Sequence, residues 1–376
     1  MRVIHFSDTR LGFQAFDVVN AEGVNAREQD VYDAFARVVD RVLDLKPDVV
    51  VHSGDFFHRP SPSNRALTFG LEQLRRICDI NIPVVIIAGN HETPKTIYNS
   101  PILRAFRSLD CVVPVFGETW EQAVFGDLVV HGVPHINDNR LLFRELERMQ
   151  PQPDKFNMLL LHTSLGKRFL MEEYGEQVFP EAFESKLQDF QYIALGHWHN
   201  YQQIDVHPNA WYSGSIERLS DTEVGTEKGF LVLDIDKNGA CPVAFEAIRT
   251  RPWLKLDLND CQSKTVAQLL SDMEQFRDAH TTTDAIISLN INDIKVEQTL
   301  ELSNTVLREV FPDCFQLVVK RKSFADRAFV HSIEANQFDR LDRIFSEYVR
   351  SKYPDDAATA ERITDRAQRY FADTEK

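Results

Sequence analysis

The sequence is short of three things. Its apolar stretches fall well below the roughly 20 residues that span a bilayer, and no signal-peptide pattern precedes the first strand-like run, so a cytoplasmic protein is expected. Cysteine is sparse: Cys78, Cys111, Cys241, Cys261 and Cys314 lie far apart with no C-x-x-C pair. That spacing argues against a zinc knuckle or a disulfide framework and leaves ordinary buried thiols as the expectation. Positive charge is also in deficit, with 42 Lys and Arg against 57 Asp and Glu and a formal net charge of -15. Binding nucleic acid through charge alone is therefore disfavoured, and any DNA contact has to be local or assisted by metal ions or a second protein.

What is present is a globular composition. The 376 residues are 43% hydrophobic and 26% charged, enough for two or three domains with a substantial core. The first half alternates strand and helix. Val3 to Ser7 reads as a short buried strand, and Val31, Phe35, Val38, Val39 and Val42 mark one face of a helix from Arg27 to Leu45, which Pro47 ends. A second strand, Val49 to His52, runs into Gly54-Asp55. A helix follows Pro62 with Ser63 or Asn64 as its cap, and a third strand, Val84 to Ala88, runs into Gly89-Asn90-His91. Later, Met158 to Leu161 ends in His162, and Tyr192 to Leu195 ends in Gly196-His197-Trp198-His199.

This order predicts a parallel sheet with helices on it, where ligands gather at the carboxyl ends of strands. Asp8, Asp55, Asn90-His91, His162 and His197/His199 all sit at such ends, expected on five successive strands. A single histidine or Gly-Asp turn after a strand means little, but carboxylate, carboxamide and imidazole donors repeated in this way suit two divalent ions sharing one carboxylate. His5 and His52, inside strand runs, and His131 and His135, in a hairpin-like region, read as structural.

The segments Asp8-Thr9-Arg10, Gly54-Asp55-Phe56-Phe57-His58, Gly89-Asn90-His91-Glu92, His162 and Gly196-His197-Trp198-His199 together resemble the five motifs of the calcineurin-like metallophosphoesterases. Within that superfamily the chain is most similar to the SbcD-type nuclease subunits of double-strand-break repair complexes. Ser213-Gly214-Ser215-Ile216-Glu217-Arg218 and Lys228-Gly229-Phe230 add to that likeness. The resemblance implies an α/β sandwich of two mixed sheets flanked by helices, with a small α+β cap and C-terminal helices. It also implies one Mn2+ site from Asp55, Asn90, His162 and His197. A second would draw on Asp8, the shared Asp55, His199 and residue 10. His91 would protonate or stabilise the leaving oxygen, and His58 would contact phosphate or position His91.

Arg10 departs from the pattern. A guanidinium has no lone pair to give and stays protonated, so it cannot ligate a cation. It stands for an inactivating substitution, a one-metal variant in which Arg10 grips phosphate, or a degenerate scaffold. Since the other six ligands are present, an intact nuclease architecture with impaired activity and one bound Mn2+ is the favoured expectation. A disabled DNA-end-binding scaffold and a small-molecule phosphodiesterase are the alternatives.

The boundaries expected are a nuclease domain over 1–250, a DNA-selecting cap over 251–322, a linker over 323–333 and a helical segment over 334–376. The cap reads β-α-β-α-β: strands at Trp253 to Leu258, Ala285 to Ile291 and Phe315 to Val319, with helices near Thr265 to Phe276 and Glu297 to Val310. Lys320-Arg321-Lys322 either touches phosphates or ends a solvated strand. In the last segment Phe338, Leu341, Ile344, Phe345 and Tyr348 share one helical face and Ile363, Ala367, Tyr370 and Phe371 another, with Pro354 between. The resemblance implies that these helices dock on an SbcC-like SMC-type ATPase, within a complex that holds a homodimer and acts on DNA.

Overall fold

The structure is a computed structural model that describes residues 1–96, 98–171, 176–323, 341–354 and 356–374. It divides into two compact units, Met1–Arg251 and Pro252–Lys376. In the first unit β1 (Arg2–Phe6), β2 (Val49–His52), β3 (Val84–Ile87) and β4 (Val112–Val115) run parallel. The chain then builds a second sheet from β5 (Glu121–Phe125), β6 (Leu128–Val133), β7 (Phe156–His162), β8 (Tyr192–Gly196), β9 (Gln202–Ile204) and β10 (His207–Tyr212). It returns to the first with β11 (Gly229–Asp234) and β12 (Val243–Ala247). The two six-stranded sheets have the orders β12-β11-β1-β2-β3-β4 and β5-β6-β7-β8-β10-β9, each mixed parallel and antiparallel. The expected sandwich of two mixed sheets is what forms, but the five donor-bearing strands are not successive: β1, β2 and β3 belong to one sheet, β7 and β8 to the other, and β4 to β6 intervene. Local periodicity says where a strand lies, not which sheet it joins.

Side-chain alternation along the strands divides the core. Val3, Val49, Val51, Val85 and Ile87 point at Leu128, Val130, Met158, Leu160 and Ala194 of the second sheet. Ile4, Phe6, Val50, Val84 and Ile86 point the other way, onto Val31, Phe35, Val38, Leu74 and Ile77 of α1 (Ala26–Leu45) and α2 (Asn64–Cys78). Each such aliphatic or aromatic side chain contributes about 1.5–3 kcal/mol on full burial. The helices begin where the sequence supplies acceptors: Asn25 takes the N–H groups of Arg27 and Glu28, and Ser63 takes that of Ala66. Lys46 ends α1 in a left-handed conformation ahead of Pro47.

One cysteine expectation is overturned. Cys78, at the end of α2, and Cys111, at the entry to β4, form a disulfide with their Cα atoms 5.4 Å apart. They are separated by 33 residues, and β3 pairing with β4 is what brings them together. Cys261 and Cys314 are buried thiols, and Cys241 is half-buried.

The second unit holds the parallel sheet β13 (Trp253–Leu258), β14 (Ile286–Ile294) and β15 (Gln316–Ser323). Thr265 and Gln268 form a reciprocal cap for the helix Val266–Ala279. The single helix expected over Glu297 to Val310 is two, Val296–Glu301 and Asn304–Val310. Leu302 leaves helical geometry, and the Ser303 side chain caps the next helix on the Val306 N–H. Arg321 turns inward to the Leu302 carbonyl and Asn304, whereas Lys320 and Lys322 are exposed. The helices Leu341–Lys352 and Ala357–Thr374 pack on each other. There Val349 is buried and Tyr348, expected on the apolar face, is exposed; Phe338 and the 323–333 linker beyond Ser323 lie outside the described residues. Among the described residues no helix is long and apolar enough to cross a membrane.

Candidate metal centre

Strand β1 delivers Asp8, β2 delivers Asp55, β3 delivers Asn90, and from the facing sheet β7 and β8 deliver His162 and His197. The backbone at these ends is costly. Asp8, Arg10, Asp55 and His197 all have positive φ, at 50°, 54°, 58° and 95°, a conformation that costs non-glycine residues roughly 1–3 kcal/mol each and persists only where surroundings enforce it. Two glycines let the ends close. A Cβ on Gly89 would lie 2.2 Å from Asp55 Oδ1, and one on Gly196 would lie 2.1 Å from the Ser53 carbonyl oxygen.

Asp8, Asp55 and His162 each offer an atom within 4.8 Å of the others, and all three are buried. Asp55 Oδ1 accepts the His91 backbone N–H at 2.9 Å, while Oδ2 lies 3.3 Å from His162 Nε2. Asn90 Oδ1 also faces that nitrogen, at 3.0 Å, and His162 Nδ1 donates to the Ser53 carbonyl at 2.9 Å. Two oxygen acceptors and a ring nitrogen therefore converge on one point, which calls for a cation between them. Without one, a proton serves: burial alone would lower His162, but the Asp55 charge and hydrogen bond lift it to about 9. Asp8 Oδ1 and Asp55 Oδ2 are buried, with positively charged or imidazole nitrogens as their near neighbours. Oxygen and imidazole donors of this kind fit a divalent ion such as Mn2+, which would displace the proton.

The neighbouring space is filled by Arg10. This side chain, 2% exposed, places Nη2 3.0 Å from Asp55 Oδ2 and Nε 3.6 Å from Asp8 Oδ1. Nη2 also lies 3.1 Å from His199 Nε2, to which it can donate. His199 donates from Nδ1 to Glu223 Oε1 at 3.0 Å, and Glu223 in turn is paired with the fully buried Lys228 and takes the Ser215 hydroxyl at 3.0 Å. Burial opposes ionisation of Asp55, yet Arg10 first, then His162 and His91, hold it well below the usual carboxylate range. Asp8 is likewise held down, with His162, His199 and Arg10 outweighing burial. Glu223 is held low by His199 and Lys228 against the same penalty.

The sequence profile of the calcineurin-like phosphoesterases matches residues 1–201. The chain belongs to that family. It is a metal-dependent phosphoesterase. Its relatives include the DNA double-strand break repair protein Mre11 of Methanococcus maripaludis, 25% identical over 375 residues, which covers 94% of this chain and 92% of that protein. The Sulfurisphaera tokodaii protein of the same name is 30% identical over 60% of this chain and 57% of its own length. That of Thermoplasma acidophilum is 27% identical over 79% of each.

In this phosphoesterase His91 Nδ1 donates to the His58 carbonyl at 3.0 Å, which turns Nε2 toward Asp55 Oδ2, 4.0 Å away. The His58 ring stacks on His91 with centroids 5.3 Å apart and meets the edge of Phe13. Burial, with the Arg10 and His91 charges, pushes His58 down to about 3. His197 is turned so that Nε2 donates to Glu176 Oε1 at 2.8 Å, and its backbone N–H donates to Asp8 Oδ2 at 3.0 Å. The structure gathers Asp8 with Asp55 and His162, and it also sets Asp8 Oδ1 3.7 Å from His199 Nε2, beside the space that Arg10 fills.

The histidines read as structural are bonded within the protein. His5 bridges Tyr192 and Ser53, His52 meets Thr9, His131 meets Asn157 and His135 meets Asn137. Burial pushes His5 and His52 down to about 3, so both are neutral. Glu176 and Glu223 escaped the sequence reading. Neither stands at the end of a strand or falls at a ligand spacing; Lys228, next to a recognisable glycine, is the nearest signal.

Proposed function

We propose that this chain is the DNA nuclease subunit of an SbcC–SbcD-like end-processing complex, working with one Mn2+ per chain and with reduced activity. The observation that carries this reading is the position of Arg10, whose guanidinium touches Asp8, Asp55 and His199, the side chains expected to hold a second ion. It is buried among protein partners, which fits a substitute cation better than a group presented to phosphate. Asp8, Asp55, Asn90, His162 and His197 would hold the single ion. When bound, that ion supplies Lewis-acid polarisation of the scissile phosphate and activation of water. His91, aimed by the His58 carbonyl and stacked on the His58 ring, is placed to protonate or stabilise the leaving oxygen. DNA as substrate is supported by the Mre11 relatives.

The deciding experiment pairs manganese stoichiometry with cleavage of a DNA duplex. The chain is expected to hold about one Mn2+ and cut weakly, and Arg10→His to hold about two and cut faster, as a two-ion clamp requires. An arginine form that binds two ions would show that residue 10 lies off the metal. One that binds a single ion and outruns Arg10→His would make the guanidinium an active stand-in. The Arg10 contacts also favour a second reading, a DNA-end-binding scaffold without catalysis, which predicts duplex binding and no cleavage even when Mn2+ is loaded. Residues 251–322 serve in this reading as the DNA-selecting cap and 334–376 as the element that docks on an SMC-type ATPase. Deleting 334–376 is expected to leave the phosphoesterase unit folded and abolish co-purification with that ATPase.

A further inference from the structure

We propose that Glu176 is a positioning residue for the metal centre, whose carboxylate fixes His197 as the Nε2–H tautomer and so presents Nδ1 to the divalent ion. The inference rests on the reading that His197 ligates that ion. Glu176 lies on the segment that follows β7, with its side chain 9% exposed. One oxygen, Oε1, accepts three donors: the Ser164 hydroxyl at 2.7 Å, the Met171 N–H at 2.8 Å and His197 Nε2 at 2.8 Å.

The segment that carries Glu176 is itself fastened to the end of β7. Ser164 N–H donates to the Gln177 carbonyl and Phe179 N–H to the Ser164 carbonyl, both at 2.9 Å, and the Thr163 hydroxyl reaches the Gln177 carbonyl at 2.7 Å. Glu176 therefore has little freedom to follow the imidazole; the imidazole has to follow it. His197 is meanwhile held at φ 95°, with its backbone N–H spent on Asp8. A strained backbone and a carboxylate from another segment jointly set the ring.

The chemistry is the same on the other histidines of the centre. His162 spends Nδ1–H on a carbonyl and turns Nε2 inward; His199 spends Nδ1–H on Glu223 and turns Nε2 to Arg10. His197 is the reverse tautomer, with Nε2–H spent and Nδ1 left to ligate. A carboxylate acceptor behind a metal-binding imidazole orients it and raises its basicity, and its loss typically weakens the metal by about 10–100-fold.

The test is calorimetric titration of the full chain with Mn2+ alone, over wild type, Glu176→Gln, His197→Ala and the double variant, with thermal unfolding confirming that each is folded. Glu176→Gln is expected to weaken Mn2+ binding by about 10-fold or more and to add nothing once His197 is alanine. If His197→Ala leaves Mn2+ affinity unchanged, the parent reading that His197 is a ligand fails. If His197→Ala weakens binding and Glu176→Gln does not, that reading stands and the role of Glu176 is overturned. Equal weakening by Glu176→Gln in both backgrounds also overturns it, since the effect would not pass through His197. Independently of any variant, 15N-histidine NMR of the wild-type chain should show His197 protonated on Nε2; the Nδ1–H tautomer refutes the proposal.

Discussion

The two halves of the metal centre are built alike and filled differently. On one side Asn90 and His162 converge with Asp55 on a point that calls for positive charge, and His162 is steadied from behind by the Ser53 carbonyl. On the other side His199 is steadied by a buried Glu223–Lys228 pair, yet its inward nitrogen meets the guanidinium of Arg10. The supports of the second half are intact although an arginine fills it. The guanidinium sits among these walls without dismantling them, because buried carboxylates demand positive charge and accept it from any source that fits.

The largest effect is expected at the residue both halves share. Asp55→Asn removes the charge that faces Arg10 and His162 together, and should weaken Mn2+ by more than the roughly 100-fold limit for an outer partner, with cleavage falling to background. Titration and a duplex assay check this; undiminished Mn2+ binding would mean the halves are not joined through Asp55. His91→Ala comes next. It should lower cleavage by about 10²-fold, the scale of general acid–base help, with bound Mn2+ retained. If metal content fell in step, His91 would move from the leaving group to the ligand set. The smallest effect on the open half is expected from Glu223→Gln, which leaves the buried Lys228 without its counter-charge. Denaturant unfolding should show a loss of about 3–5 kcal/mol, the usual consequence of breaking a buried pair, while Mn2+ affinity at Asn90 and His162 stays the same. A matching loss of Mn2+ affinity would merge the two halves into one cooperative site.

How much of this was open to a reader of the chain depends on distance along it. Strand ends, the Ser63 cap and the glycines before Asp55, Asn90 and His197 are local features, and local periodicity and turn chemistry report them. The break at Leu302-Ser303 is local too, but apolar spacing runs across it, and only the Ser303 cap divides the helix. The Cys78–Cys111 bond lay beyond spacing rules, because it needs β3 beside β4 to bring the two sulfurs together.

The sequence by itself determined which donors exist, that each stands where a strand stops, and that residue 10 cannot ligate a metal, since these follow from side-chain chemistry and from steric rules that act over a few residues. Only the tertiary structure decided where they meet. Arg10 finds His199 across 189 residues of chain and Glu176 finds His197 across 21, in each case because one element stops opposite another. No spacing encodes such a meeting: it is settled by which sheet each strand joins and by the hydrogen bonds that buried polar groups must find once water is gone.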